Sequence, residues 1–80
     1  MDWIENITRR LAAVAEVDPA DLLLDDTEKE TLLDLAGVAA HTSGDRTNAP
    51  LLCHVIGRVM ARGATLEDCE SAVRAFADEK

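Results

Sequence analysis

The strongest constraint on the fold is an apolar stripe in the second half of the chain. Its members are aliphatic and recur at helical spacing: Leu51, Leu52, Val55, Ile56, Val59 and Met60. Side chains spaced in this way lie along one broad face of an α-helix. The glycine at position 63 is the residue type that most often ends a helix in the left-handed conformation. The pattern therefore predicts a helix that is capped by Asn48, holds Pro50 in its first turn and ends at Gly63.

Two helix-start signals lie near the N-terminus. Asp2 and Glu5 have the spacing of a capping box, and apolar residues recur behind them at helical spacing. This pattern predicts a first helix that reaches about Ala15. An aspartate followed by Pro19 is typical of a cap and a first helical residue, and it predicts a short helix over residues 19–24.

Two further capping boxes open the remaining helices. Thr27 pairs with Glu30 at the start of a predicted helix over residues 28–42, and Thr65 pairs with Asp68 at the start of the last helix. The last helix is expected to bury one face made of four residues: Leu66, Cys69, Val73 and Phe76.

The predicted fold is all-α, a compact bundle of four main helices plus one short helix, with no strands. No segment alternates between polar and apolar residues as a half-buried strand would. Residues 1–80 are enough for a single domain with one core, and that core must be aliphatic because aromatic residues are 2% of the chain. Gly37 lies inside a predicted helix, where glycine costs about 1 kcal/mol relative to alanine, and this favours a close helix crossing there.

Charge and cysteine content narrow the classes of function. Sixteen acidic against eight basic residues give a net charge of -8, which disfavours binding to nucleic acid or to an anionic membrane surface. No apolar run is long enough to span a bilayer, and no secretory signal is visible, so we expect a cytoplasmic protein. Cys53 and Cys69 are then expected to be free thiols in a reducing compartment.

The sequence contains no motif typical of catalysis, neither a phosphate-binding glycine loop nor a metalloprotease or hydrolase signature. Cys53 and His54 are adjacent on a helix, where neighbouring side chains diverge by about 100° and converge on one metal ion with difficulty. The sequence thus predicts a protein that is not an enzyme and has no metal and no cofactor.

Basic residues form one candidate site. They recur every four positions along one edge of the helix predicted to begin at Asn48: His54, Arg58 and Arg62. Arg46 precedes that helix, and the backbone N–H groups around residues 48–49 are expected to be free at its N-terminus. This edge could bind a phosphate or an acidic partner, or its arginines could simply complement the helix dipole and keep the protein soluble.

A second candidate site joins acidic and basic residues. Asp34 and His41 are seven residues apart on one helix and so share a face. Arg46 follows in the next loop and could pair with Asp34. The group could form an anion or nucleotide pocket with Arg46 as its clamp, or an ion pair that fixes the loop.

The same region resembles a small helical domain family common in actinobacteria. The resemblance is carried by short motifs: Asp34-Leu35-Ala36, Ala40-His41, Arg46, Ala49-Pro50-Leu51 and Gly57. Members of that family occur alone or fused to the guanylyltransferase that completes the molybdopterin guanine dinucleotide cofactor. The resemblance implies a cytoplasmic accessory domain of molybdenum-cofactor maturation, not a catalyst. The motif residues carried over are Asp34, Ala36, His41, Arg46, Ala49 and Pro50, whereas Asn48 stands where the family commonly has alanine.

Several functions are compatible with these patterns. The first is a non-enzymatic accessory domain whose His41, Arg46 and Asn48 contact a partner protein, for which the resemblance suggests the guanylyltransferase. The alternative is a small-ligand domain that holds a nucleotide or pterin phosphate with Arg46, His54 and the helix N-terminus. A homodimer is a third reading, because residues 22–24 are all leucine and exceed what one short helix can hide. A DNA-binding helix-turn-helix is disfavoured by the net charge.

Overall fold

The computed structural model describes residues 3–79, and most of them are helical. The elements in chain order are α1 (Trp3–Ala15), a 3-10 helix (Pro19–Asp21), α2 (Asp26–Ser43), α3 (Asn48–Ala61) and α4 (Leu66–Asp78). No strand occurs within this described range, so the predicted all-α class with four main helices and one short helix is confirmed. The capping box predicted at Asp2 lies outside the described residues. Among the helices of residues 3–79, none combines the length and apolar character that crossing a bilayer requires.

Helix α2 begins two residues before the predicted start because a different capping box opens it. The Oδ1 atom of Asp25 accepts a hydrogen bond from the Glu28 backbone N–H at 2.7 Å, and Glu28 Oε1 accepts from the Asp25 N–H at 3.0 Å. The predicted box of Thr27 and Glu30 is wrong, since both residues lie inside the helix. Two overlapping pairs had the same spacing, and the upstream pair caps the helix.

The turn between α3 and α4 follows the prediction. Gly63 has a φ of +109°, and its N–H donates to the Met60 carbonyl at 3.0 Å. Thr65 Oγ1 then accepts from the Asp68 N–H at 3.0 Å while Asp68 Oδ2 accepts from the Thr65 N–H at 3.4 Å. The helix end and the next capping box are thus both confirmed. The short N-terminal helix is also confirmed, although it spans Pro19–Asp21 rather than residues 19–24.

The core lies between α2, α3 and α4. Its buried members come from all three helices: Leu35, Ile56, Leu66 and Cys69. Leu35 is completely buried at its centre. Cys69 packs as a small hydrophobic residue, as the last helix's pattern predicted. The prediction that Phe76 is buried on the same face is wrong, since this ring is 71% exposed.

Helix α1 packs against the 3-10 helix. Within residues 3–79, no Cα atom of α1 lies within 8 Å of a Cα atom of α2, α3 or α4. Glu16 ends it at a φ of +56°, and the Val17 N–H donates back to the Ala12 carbonyl at 3.1 Å. The described chain measures 42 × 25 × 20 Å, with a radius of gyration of 13.6 Å. A compact domain of this length has a radius of about 11.6 Å. The molecule is therefore a three-helix core with α1 projecting from it, more elongated than the predicted compact bundle.

Two glycines lie inside helices without a packing reason. A Cβ added to Gly37 in α2 or to Gly57 in α3 would meet no heavy atom within 4 Å outside its own helix backbone. The close helix crossing predicted at Gly37 is therefore wrong.

Candidate functional site

An apolar groove opens between α3 and α4. It has a volume of about 990 Å³ and is lined by the C-terminal turns of α2, the N-terminal half of α3 and the C-terminal half of α4. Its apolar lining residues are Val38, Ala39, Leu51, Leu52, Val55, Ala72, Val73, Phe76 and Ala77. Its polar lining residues are Thr42, Ser43, Asn48 and Glu79. The groove is wide enough for a ligand or a segment of a partner to enter.

The groove exists because the apolar stripe of α3 is wider than the core can cover. One row of the stripe, which contains Leu52, Ile56 and Met60, packs into the core. The neighbouring row, which contains Leu51 and Val55, stays more than half exposed. Sequence reasoning missed the groove, although the signal was present. Two parallel rows of aliphatic residues on one helix indicate two packing surfaces, and the three-helix core supplies only one.

A polar network lies at the connection between α2 and α3, and two of its residues, Ser43 and Asn48, line the groove. Asp45 Oδ1 accepts hydrogen bonds from the Thr47 hydroxyl at 2.6 Å and from the Thr47 backbone N–H at 2.9 Å. These two bonds lower the pKa of Asp45 below its ordinary value, and the bond from the Thr47 hydroxyl has the larger effect. Asn48 Nδ2 donates to Ser43 Oγ at 3.0 Å, so this amide ties α3 to the end of α2. The predicted capping role of Asn48 is wrong, because Asn48 is the first helical residue and Thr47 holds the cap position.

The N-terminus of α3 has no backbone donor left for an anion among these residues. The Thr47 N–H is bound by Asp45, the Asn48 N–H donates to the Asp45 carbonyl, and the Ala49 N–H donates to the Arg46 carbonyl. Pro50 has no N–H. The free N–H groups predicted around residues 48–49 are therefore not available, and the Asp45 carboxylate already sits beside them. A phosphate would meet an occupied and negatively charged site.

The predicted pairing between α2 and the following loop is also wrong. Asp34 and His41 lie on α2 and are exposed, and Arg46 is exposed in the connection to α3. Within residues 3–79, Asp34 and Arg46 form no ion pair and no side-chain hydrogen bond. The hydrogen bonds of Ser43 and Asp45 fix the connection instead.

Comparison with known protein families gives one match. A family described as "Domain of unknown function (DUF6457)" matches residues 1–80. The chain belongs to the DUF6457 family. Neither a curated protein nor a solved structure gives a significant match.

In this DUF6457 domain the basic edge predicted on α3 is present, and its side chains form no ion pair with any other residue of the described range 3–79. His54 and Arg58 are exposed on α3, and Arg62 holds its C-cap position. Arg58 follows Leu51 by seven residues, so the basic edge continues the exposed side of α3 beyond the groove. Within residues 3–79 no three His, Cys, Asp or Glu side chains are grouped as metal ligands would be. The Cys53 thiol is half-buried, with Sγ 3.9 Å from the Leu32 carbonyl.

Proposed function

We propose that this domain is a non-enzymatic accessory domain that binds a partner protein in the groove between α3 and α4. The observation that carries the proposal is the row of exposed apolar side chains along the groove, with Leu51 61% and Phe76 71% exposed. A large contiguous apolar surface on a small acidic domain is typical of a protein-interaction site. A helical segment with an apolar face is the partner element that fits such a groove.

The groove chemistry favours binding over catalysis. Among the described residues that line it, Glu79 is the one titratable side chain, and it lies beyond the last turn of α4. General acid–base or nucleophilic catalysis needs a positioned titratable group next to the bound substrate. Aliphatic walls instead supply the desolvated centre of a protein interface.

Polar residues at and near the connection between α2 and α3 complete the proposed interface. Asn48 lines the groove, and the chain from His41 to Arg46 leads into it from α2. The hydrogen bonds around Asp45 hold this connection in one conformation, which lowers the entropy lost on binding. Of the three residues predicted to contact a partner, Asn48 lines the groove, whereas His41 and Arg46 are exposed on the segment that leads to it. The Arg46 side chain forms no ion pair within residues 3–79 and so offers its charge to an acidic partner.

The motif resemblance supports a particular partner. It points to the guanylyltransferase that completes the molybdopterin guanine dinucleotide cofactor, and also to a cytoplasmic location and an actinobacterial origin. Binding of a nucleotide or pterin phosphate by Arg46 and His54 has weaker support, because the backbone donors at the start of α3 are already bound.

The test is calorimetric titration of the intact domain into purified molybdenum-cofactor guanylyltransferase from the same organism. Val55→Glu places a charge in the groove and is expected to weaken binding at least about 100-fold. Arg46→Ala removes an exposed charge from the segment that leads to the groove and is expected to weaken it about tenfold. Leu33→Glu is the matched control, because Leu33 is 73% exposed and does not line the groove.

Thermal melts of each variant show whether the fold is retained. Absence of binding by the wild-type domain would refute the guanylyltransferase as partner. Equal weakening by Val55→Glu and Leu33→Glu would refute the groove as the binding surface.

A further inference from the structure

The basic edge of α3, formed by His54, Arg58 and Arg62, is a surface that the proposed function does not use. None of these three residues lines the groove. All three are exposed, and Arg58 and Arg62 form no ion pair within residues 3–79. The basic edge is therefore separate from the groove and open to a partner.

The two arginines of the basic edge differ from the paired cations of the chain in having no acidic residue nearby along the helix. Arg9, Lys29 and Arg74 each lie within 4.0 Å of a carboxylate three or four residues away. Arg58 and Arg62 have no aspartate or glutamate at those spacings. The whole run of residues 46–66 has none, although 16 of the 80 residues are acidic. This run leaves a positive strip on a chain whose net charge is -8.

The helix dipole accounts for only part of this pattern. Arg58 lies in the last turn of α3 and Arg62 at its C-cap, where positive charge interacts favourably with the unpaired carbonyl groups. The same dipole favours acidic residues in the first turn of a helix, and α1, α2 and α4 have them there. Helix α3 has none in its first turn. The dipole therefore does not explain why α3 lacks acidic residues along its full length.

The spacing of the basic edge suits a helix lying beside α3. Residues 54–62 cover about 12 Å along the axis, with about 6 Å from each basic side chain to the next. Carboxylates four residues apart on a second helix repeat at the same interval of about 6 Å. Val59 lies between the two arginines in sequence and is 42% exposed, so an apolar contact can accompany the charges. An extended peptide would find no strand to pair with, since residues 3–79 contain none.

An acidic protein segment fits the basic edge better than a nucleic acid does. The net charge of -8 opposes a long polyanion such as DNA or RNA. Helix α3 also has no aromatic side chain on which a base could stack. A short acidic helix meets the positive strip at contact distance, whereas acidic residues farther away than about 8 Å are screened at physiological salt.

We propose that the basic edge of α3 binds an acidic helix of a partner protein, whose carboxylates are four residues apart and face Arg58 and Arg62. A small aliphatic residue between those carboxylates packs on Val59. Arginine suits this role because its planar guanidinium donates two parallel hydrogen bonds to one carboxylate. The contact does not use the groove, so its test is independent of the guanylyltransferase titration.

The probe is a synthetic helical peptide of about 20 residues, with glutamate at every fourth position of one face and alanine between. A matched peptide has glutamine in place of each glutamate. Both are titrated into the isotope-labelled full chain and followed by NMR of the backbone amides. The glutamate peptide is expected to shift the amides of residues 54–62 with a dissociation constant of about 1 mM or below. The glutamine peptide is expected to bind at least about tenfold more weakly.

Charge reversal at single arginines locates the contact. Arg58→Glu is expected to weaken binding of the glutamate peptide about tenfold, and Arg58→Lys, which keeps the charge, is expected to retain most of the binding. Arg10→Glu is the matched control, because Arg10 is also exposed, forms no ion pair within residues 3–79 and lies on α1. Equal weakening by Arg58→Glu and Arg10→Glu would overturn the proposal, because binding would then depend on net charge alone.

Three further results would overturn the proposal. The first is the absence of shifts at residues 54–62 when the glutamate peptide exceeds about 1 mM. The second is equal binding by the glutamate and glutamine peptides. The third is tighter binding at these residues by a single-stranded oligonucleotide of the same charge, which would assign the basic edge to nucleic acid. Thermal melts of the Arg58 variants show that the fold is retained, as expected for an exposed side chain.

Discussion

Alanine in place of Gly37 is expected to stabilise the domain. Glycine inside a helix costs about 1 kcal/mol relative to alanine, because it loses more backbone freedom on folding. The cost of a clash does not offset this gain, since a Cβ at Gly37 meets no heavy atom within 4 Å outside its own helix backbone. In a domain of this size, 1 kcal/mol corresponds to a rise in melting temperature of about 4–8 °C.

The same substitution at two other glycines supplies matched controls. Gly57→Ala is expected to add about 1 kcal/mol, because its surroundings are equally open. Gly63→Ala is expected to cost about 1–2 kcal/mol, because the φ of +109° at this position is one that residues with a Cβ rarely adopt. The same change from glycine to alanine is therefore expected to raise the free energy of unfolding inside a helix and to lower it at the helix end.

Urea unfolding followed by circular dichroism measures the free energies, and an unchanged slope against urea shows that the unfolded state is comparable. A loss of stability for Gly37→Ala would refute the reasoning, because it would mean that another surface packs against this position. If the loss occurred at high protein concentration alone, that surface would belong to a second copy.

Leu35→Ala is expected to lower the free energy of unfolding by about 2–5 kcal/mol, because Leu35 is fully buried, whereas Leu33→Ala is expected to change it by less than about 0.5 kcal/mol. Equal losses of stability in the urea titrations would contradict the conclusion that α2 turns Leu35, and not Leu33, towards the core. The Asp45 carboxyl is expected to titrate below 3.8, since both bonds from Thr47 favour its charged form. Its contribution to stability is thus present above 3.8 and is lost as pH falls through the lowered pKa. Thr47→Val is expected to raise the pKa of Asp45, measured by NMR titration. An unchanged pKa would show that the bond from the Thr47 hydroxyl is absent in solution.

Helix boundaries were predictable from the sequence because the signals that set them are local. Capping depends on residues three positions apart, and the turn at Gly63 depends on one residue. Where two local signals overlapped, at Asp25–Glu28 and Thr27–Glu30, the sequence held no criterion for choosing between them. The choice is made by which pair forms both reciprocal hydrogen bonds, which the structure places at Asp25 and Glu28.

Packing between helices was less predictable, because periodicity identifies an apolar face but not the surface that covers it. Phe76 belongs to the apolar face of α4, yet α3 does not reach it and the groove lies between them. The same limit applies to the candidate site. The predicted pair of Asp34 and Arg46 had compatible charges and spacing, whereas the hydrogen bonds that hold the loop come from Asp45 and its neighbours.

The short connections within the core have a consequence for how the chain folds. Residues 44–47 join α2 to α3, and residues 62–65 join α3 to α4, so each closed loop is four residues long. Closing such loops removes little chain entropy, and domains built from contacts near in sequence fold on the microsecond-to-millisecond scale. During synthesis, α1 can settle against the 3-10 segment as soon as residue 24 has left the ribosome. The core of α2, α3 and α4 must await the last helix, and the groove is the final surface to take shape.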